Sequence, residues 1–123
     1  MPHLTVYARE NDLARREAEL IGGLIEAVVD VYGEWAREIA VVMLIGVPDN
    51  RWGAATRAPR VQFGIKEAAF EQPDMVGRLA AGVTDALVTQ FGEQTRAATE
   101  IEFVGTRDER TATGGVLNGR VGT

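Results

Sequence analysis

Gly33-Glu34-Trp35-Ala36-Arg37-Glu38-Ile39-Ala40-Val41-Val42-Met43-Leu44-Ile45-Gly46 and Gly92-Glu93-Gln94-Thr95-Arg96-Ala97-Ala98-Thr99-Glu100-Ile101-Glu102-Phe103-Val104-Gly105 are the two stretches that decide the fold. Moved by 59 places, from 33 to 92, the first lays Gly33 on Gly92, Glu34 on Glu93, Arg37 on Arg96 and Gly46 on Gly105. The register holds upstream, where Tyr32 meets Phe91, Leu20 meets Leu79 and Pro2 meets Val61. Shared punctuation of this kind reads as an internal duplication.

Each copy reads as strand, helix, strand. Pro2-His3-Leu4-Thr5-Val6-Tyr7 alternates as a strand. Residues 13–32 carry Leu13, Leu20, Ile21, Leu24, Val28, Val31 and Tyr32 at helical spacing, which predicts an amphipathic helix. Asn11 or Asp12 suits its N-cap, and Gly33 suits the position after its end. Gly22-Gly23 within it lowers helix propensity by about 1 kcal/mol per glycine, a cost that close packing on a sheet would explain. Ile39 to Val47 is apolar almost throughout, which predicts a strand covered on both faces. In the second copy, Val61 to Ile65 alternates as a strand and Pro73 opens a helix with Met75, Val76, Leu79, Val83, Leu87 and Phe91 on its apolar face. Gly92 ends that helix, and Ile101 to Val104 makes the last strand. The expected fold is α+β: duplicated β-α-β units forming a four-stranded mixed sheet with two helices on one face. It is one domain, with repeat one at about 2–47, repeat two at about 60–105 and a Gly-rich tail over 106–123. Asn118-Gly119 has the chemistry of a short hairpin turn. The other face of the sheet is left open although the strands are apolar in both phases, so oligomerisation through that face is expected.

Composition removes several function classes. The chain has 123 residues and a net charge of −5, which offers no electrostatic footprint for nucleic acid. It has no cysteine, and His3 is its only histidine, so disulfides, thiol catalysis and multi-histidine metal centres are excluded. No apolar run is long enough for a membrane span and no signal pattern opens the chain, so a cytoplasmic protein without membrane, metal or cofactor is expected.

Against that background Pro2 stands out. Methionine is normally removed when proline follows it, and the result here would be a secondary amine held by a rigid ring at the start of a strand. An α-amino group titrates near ~7.7–8, and burial lowers it further, so it can take and return a proton at neutral pH.

With Pro2 opening the first strand and a doubled β-α-β unit behind it, the chain resembles the tautomerase superfamily, which includes 4-oxalocrotonate tautomerase and macrophage migration inhibitory factor. The resemblance covers roughly residues 2–105. Residues 33–41 look like the helix-to-strand passage of the inhibitory-factor branch, and residues 47–53 look like the loop after strand two in bacterial members. The resemblance implies catalysis by the amine of Pro2 and, from the fused-repeat members, a homotrimer. Lys66 sits about where the dehalogenase and decarboxylase branches hold arginines for a substrate carboxylate, and Arg9 lies near the arginine that short tautomerases place after strand one. Glu34 stands where the inhibitory-factor branch has a lysine, and Glu100 where some members have an aromatic residue.

Among the charged residues, Lys66 is the only lysine beside twelve arginines, and it reads either as a site cation or as a surface residue. Arg51 and Arg57 flank Trp52, an arrangement that grips a planar carboxylate or else packs on a neighbouring subunit. Glu100 and Glu102 share one face of the last strand in an apolar setting, so they are expected to pair with Arg96 or Arg107. Arg107 is also a candidate substrate contact. His3 is expected to point away from Pro2 as a structural histidine. The expected substrate is a small organic acid bearing a carbonyl, and the expected reaction is keto–enol proton transfer. Hydration, dehalogenation or decarboxylation by Pro2 acting as an acid, imine formation, and a non-catalytic trimeric binding protein remain the alternatives.

Overall fold

The structure, a computed structural model, describes residues 2–119. Strands β1 (His3–Arg9), β2 (Val41–Val47), β3 (Arg60–Lys66) and β4 (Glu100–Thr106) form one sheet in the order β2-β1-β3-β4. β1 runs parallel to β2 and antiparallel to β3, and β3 runs parallel to β4. A short helical turn, α1 (Glu10–Leu13), precedes helix α2 (Glu17–Tyr32), which crosses from β1 to β2. Helix α3 (Pro73–Phe91) crosses from β3 to β4. This is the expected α+β sheet with both main helices on one face.

The core lies between helices and sheet. Leu4 and Val6 from β1, and Phe63 and Ile65 from β3, meet Leu20 and Leu24 from α2 and Leu79, Val83 and Leu87 from α3. Leu20 and Leu79, equivalent in the two repeats, are both completely buried. Each such side chain contributes about 1.5–3 kcal/mol over an exposed one.

The repeats also match in their polar fastenings. Gly33 and Gly92 end their helices at φ of +107° and +101°, where a side chain is strained, and turn the chain back beneath the helix. Arg37 then reaches Glu34 at 2.6 Å and Glu26 on α2, while Arg96 reaches Glu93 at 2.7 Å and Asp85 on α3 at 2.8 Å. Hydrogen bonds from the guanidinium hold the carboxyls of Glu34 and Glu26 below their usual range, and Arg96 does the same for Glu93. These exposed pairs fix the corner more than they stabilise the fold.

Several expectations are corrected. The first helix does not run over 13–32: Arg15 takes φ of +69°, breaking the chain between α1 and α2. Leu13 is buried from α1, in phase with the face of α2, so its period continued across a break, and Arg16 rather than Asn11 or Asp12 occupies the N-cap. The glycine pair does not serve the sheet. Gly23 lies against Ala86, whose Cβ is 3.6 Å from where its own would stand, and Gly82 lies against Ala27 at 3.5 Å. The two helices therefore cross on two Gly–Ala contacts related by the repeat, while Gly22 has nothing within 4 Å. β2 is not covered on both faces in the protomer. It is an edge strand whose Val42 and Leu44 pack on the core, while Val41, Met43 and Ile45 are 41–52% exposed. The rest of the open face is largely polar, with Thr5 and Tyr7 on β1, Gln62 on β3 and Glu100 and Glu102 on β4. The hairpin turns at Gly114-Gly115, both at positive φ, between β5 (Ala112–Thr113) and β6 (Val116–Leu117). Asn118 and Gly119 follow it instead, tied back through Asn118 N–H to Thr111 and Gly119 N–H to Asp108. Residues 120–123 of the expected tail lie outside the described residues.

Candidate active site

Pro2 is buried at the head of β1, and its carbonyl accepts the N–H of Val41 at 3.1 Å. The antiparallel pairing of His3 with Gly64 brings the end of β3, and so Lys66, to the same end of the sheet. There a cavity of about 690 Å³ opens, lined by both Pro2 and Lys66. The expected removal of Met1 concerns a residue outside the described ones.

Each wall has a local cause. Gly33 turns the chain so that Trp35 returns over Tyr32, with the rings edge-on at 5.8 Å and Trp35 Nε1 donating to the Tyr32 carbonyl at 2.7 Å. These two aromatics and Ile39 form the apolar wall, and burial raises the pKa of the Tyr32 phenol. Opposite, parallel pairing of Lys66 with Thr106 brings the turn after β4 beside the lysine. Lys66 Nζ lies 3.4 Å from Asp108 Oδ2 in that turn, both side chains being half exposed. The hairpin closes the remaining side through Thr111, Thr113 and Asn118, with Asn118 Nδ2 donating to Thr111 Oγ1 at 2.9 Å. The cavity is thus apolar on one side and rich in hydroxyls and amides on the other, with one ammonium paired to one carboxylate.

His3 lies on the open face, away from buried Pro2 as expected, and it lines the same cavity. The site lies over the end of the strand and its open face, so adjacent residues of one strand both reach it. The His3 ring lies across Gly64, occupying the place a Cβ there would take.

The other expected site residues are divided. Arg107 is near the cavity but does not line it, and pairs with Glu109 at 2.9 Å. Arg9 ends β1 at its far end, roughly 20 Å of strand from Pro2, and binds Asp49 at 2.8 Å. Arg51 closes the Asp49–Arg51 turn beside that pair, and Trp52 Nε1 donates to the Thr56 carbonyl at 2.9 Å. One protomer therefore joins Pro2 with Lys66 and holds Arg9, Arg51 and Trp52 at the opposite end of the sheet. Trp35, Asp108 and the hairpin threonines were not singled out in the sequence. Trp35 sits in the repeated stretch, where it replaces the Gln94 of the other copy, and that asymmetry was the available signal.

A second cavity of about 520 Å³ lies at the related end of repeat two, lined among others by Tyr7, Arg60, Val61, Gln62, Glu100 and Glu102. Here Val61 takes the place of Pro2. Glu100 pairs with Arg60 at 2.6 Å, and Glu102 accepts from Gln62 at 3.4 Å. The two glutamates are exposed on an edge strand, so the expected burial and pairing with Arg96 or Arg107 are corrected. Among the described residues no group of three or more His, Cys, Asp or Glu could hold a metal ion, and no helix is long and apolar enough to cross a membrane.

No family model matches the chain, and no curated protein matches it in sequence. Its fold, however, recurs in solved structures. The asymmetric trimer of wild-type F6 fused 4-OT matches with a TM-score of 0.81 at 20% identity, over 94% of this chain and 95% of that one. Pt0534 inactivated by 2-oxo-3-pentynoate matches with a TM-score of 0.82 at 18% identity, over 94% and 96%. N1, a member of the cis-3-chloroacrylic acid dehalogenase family, matches with a TM-score of 0.69 at 16% identity, over 98% and 85%. The resemblance seen from Pro2 and the doubled unit holds in three dimensions: the chain has the fold of the tautomerase superfamily.

Proposed function

We propose that this protein is a tautomerase-type enzyme that moves a proton between carbon and oxygen of a small carboxylate-bearing carbonyl compound, with the amine of Pro2 as the base. The observation that carries this reading is the placing of Pro2 and Lys66 on one cavity. With Met1 removed, the buried amine borders the apolar Tyr32–Trp35 wall, and its burial favours the neutral, proton-accepting form. The substrate carboxylate displaces Asp108 from Lys66, and the enolate charge that grows as the proton leaves is held by the same ammonium. The apolar wall takes the substrate's body.

The reading is tested by 2-oxo-3-pentynoate, the reagent that inactivates Pt0534. A free, unprotonated secondary amine adds to its activated triple bond, so a nitrogen–carbon bond forms and the proton passes to the alkyne carbon. We expect one equivalent of reagent mass, located by peptide mapping on Pro2, in a chain lighter by one methionine. A retained Met1 with no adduct would remove the amine from consideration and leave a binding protein of the same fold.

The same reading includes a homotrimer. Fused 4-OT forms trimers, and in this chain the apolar column Val41, Met43 and Ile45 is uncovered in the protomer. Arg9, Arg51 and Trp52 then serve a site only from a neighbouring protomer. Met43→Glu places a charge in that column, and sedimentation at fixed protomer concentration is expected to move from trimer to monomer. A trimer that persists with the glutamate in place would put the interface elsewhere.

A further inference from the structure

We propose that His3 is a second catalytic residue of this site, donating a proton to the substrate oxygen while Pro2 works at carbon; the inference rests on the reading of Pro2 as the base. Three observations carry it. The His3 side chain is exposed and lines the cavity that holds Pro2 and Lys66. Its ring occupies the space over Gly64, on the strand paired with its own, which only a residue without a Cβ leaves open. It is also the only imidazole in the chain, a side chain that can both donate and accept a proton. The titratable groups that share its cavity are Tyr32 at the end of α2, Lys66 at the end of β3 and Asp108 after β4, while its partner on β2 is the apolar Val41.

The step balances without a cofactor. In the keto-to-enol direction the Pro2 nitrogen takes the proton from the carbon next to the carbonyl. The electron pair of that C–H bond becomes the new C=C bond, and the carbonyl π pair moves to oxygen. The imidazolium N–H of His3 gives its proton to that oxygen, leaving neutral imidazole and a Pro2 ammonium. Exchange of one proton with solvent at each group restores both. Ketonisation is the reverse. Lys66 binds the carboxylate and steadies the charge on oxygen until His3 delivers its proton, so binding and the two proton positions fall to three separate side chains.

Gly64 supplies the control. An alanine there would bring its Cβ onto the His3 ring, so Gly64→Ala displaces the imidazole without removing it. With phenylpyruvate as substrate, we expect His3→Gln to lower kcat about 10²-fold with KM changed less than about threefold, and to erase one limb of the pH–rate profile. Gly64→Ala is expected to lower kcat about tenfold, and the double variant to be no slower than His3→Gln alone. Labelling of Pro2 by 2-oxo-3-pentynoate should persist in His3→Gln, because that reaction reports only the amine. Full kcat and an unchanged pH profile in His3→Gln would overturn the inference. Wild-type protein that neither labels nor turns over would instead show that the Pro2 reading has failed, and the role of His3 with it.

Discussion

Pro2→Ala is expected to lower kcat/KM for the interconversion of enol and keto forms of phenylpyruvate by about 10²-fold or more, the usual weight of a positioned acid–base group. Methionine is also removed before alanine, so the variant keeps an amine; what it loses is the ring. In the native chain the pyrrolidine is buried, and its carbonyl is tied to Val41 at 3.1 Å. The ring fixes rotation about the N–Cα bond beside that anchored carbonyl. A primary amine on alanine rotates freely about the bond that the ring had fixed, and it is better solvated. Lys66, the carboxylate contact of the proposed reading, is untouched, so the fall belongs in kcat and KM should stay within a few-fold. Steady-state kinetics on tag-free protein, with the mass of each chain checked first, measures this. A variant with wild-type kcat would show that the proton is moved by another group.

Phe63→Ala is expected to reduce the free energy of unfolding by about 3–5 kcal/mol, a large share of the ~5–15 kcal/mol that holds a domain of this size. Phe63 lies on central strand β3, is completely buried, and stands opposite Leu4 on β1 and Phe103 on β4. Its ring meets that of Phe103 at 5.2 Å, tilted by 30°. Helices cover it from above, so the backbone around it cannot collapse into the vacated space as it would at an edge. Phe103, partly buried on edge strand β4, should lose less when truncated. Urea unfolding at one fixed protomer concentration gives the comparison, because any association shifts the midpoint by mass action. A loss below about 1 kcal/mol at Phe63 would mean that the core is centred elsewhere.

The parts of the structure legible in the sequence were those set by local chemistry. Gly33 and Gly92 mark helix ends because the chain there needs a positive φ, and that demand is visible in one residue. Pro73 marks a helix start for an equally local reason. What was misread depends on neighbours. Leu13 keeps the helical period of α2 from a different element, since two short helical pieces can share a phase across a break at Arg15. The apolar run in β2 says that the strand leaves water, but not whether its own helices or another chain cover it. Glu100 looked buried among apolar letters, yet β4 is an edge strand, and Arg60 across from it answers the charge. Of the candidate site residues, Pro2 and Lys66 were legible as positions at the ends of strands. Asp108 and the hairpin were not, because they reach the cavity only through the pairing of β3 with β4. Alternation along β1 put His3 on the open face correctly, but not in the cavity, which depends on elements from the second repeat.

Duplication copied strands, helices, glycine turns and even the arginine fastenings, but one thing cannot be duplicated within a single polypeptide: its beginning. At the place related to Pro2 the second repeat has Val61, whose nitrogen is tied into a peptide bond near the start of β3. The cavity beside it is lined by Arg60, Gln62, Glu100 and Glu102 and has no counterpart of the Tyr32–Trp35 wall, and at the place of Pro2 it holds an amide. Joining two units in one chain therefore halves the number of termini available per unit of fold. The second cavity, with Tyr7 donating to Gln62 and Gln62 to Glu102, carries a different surface.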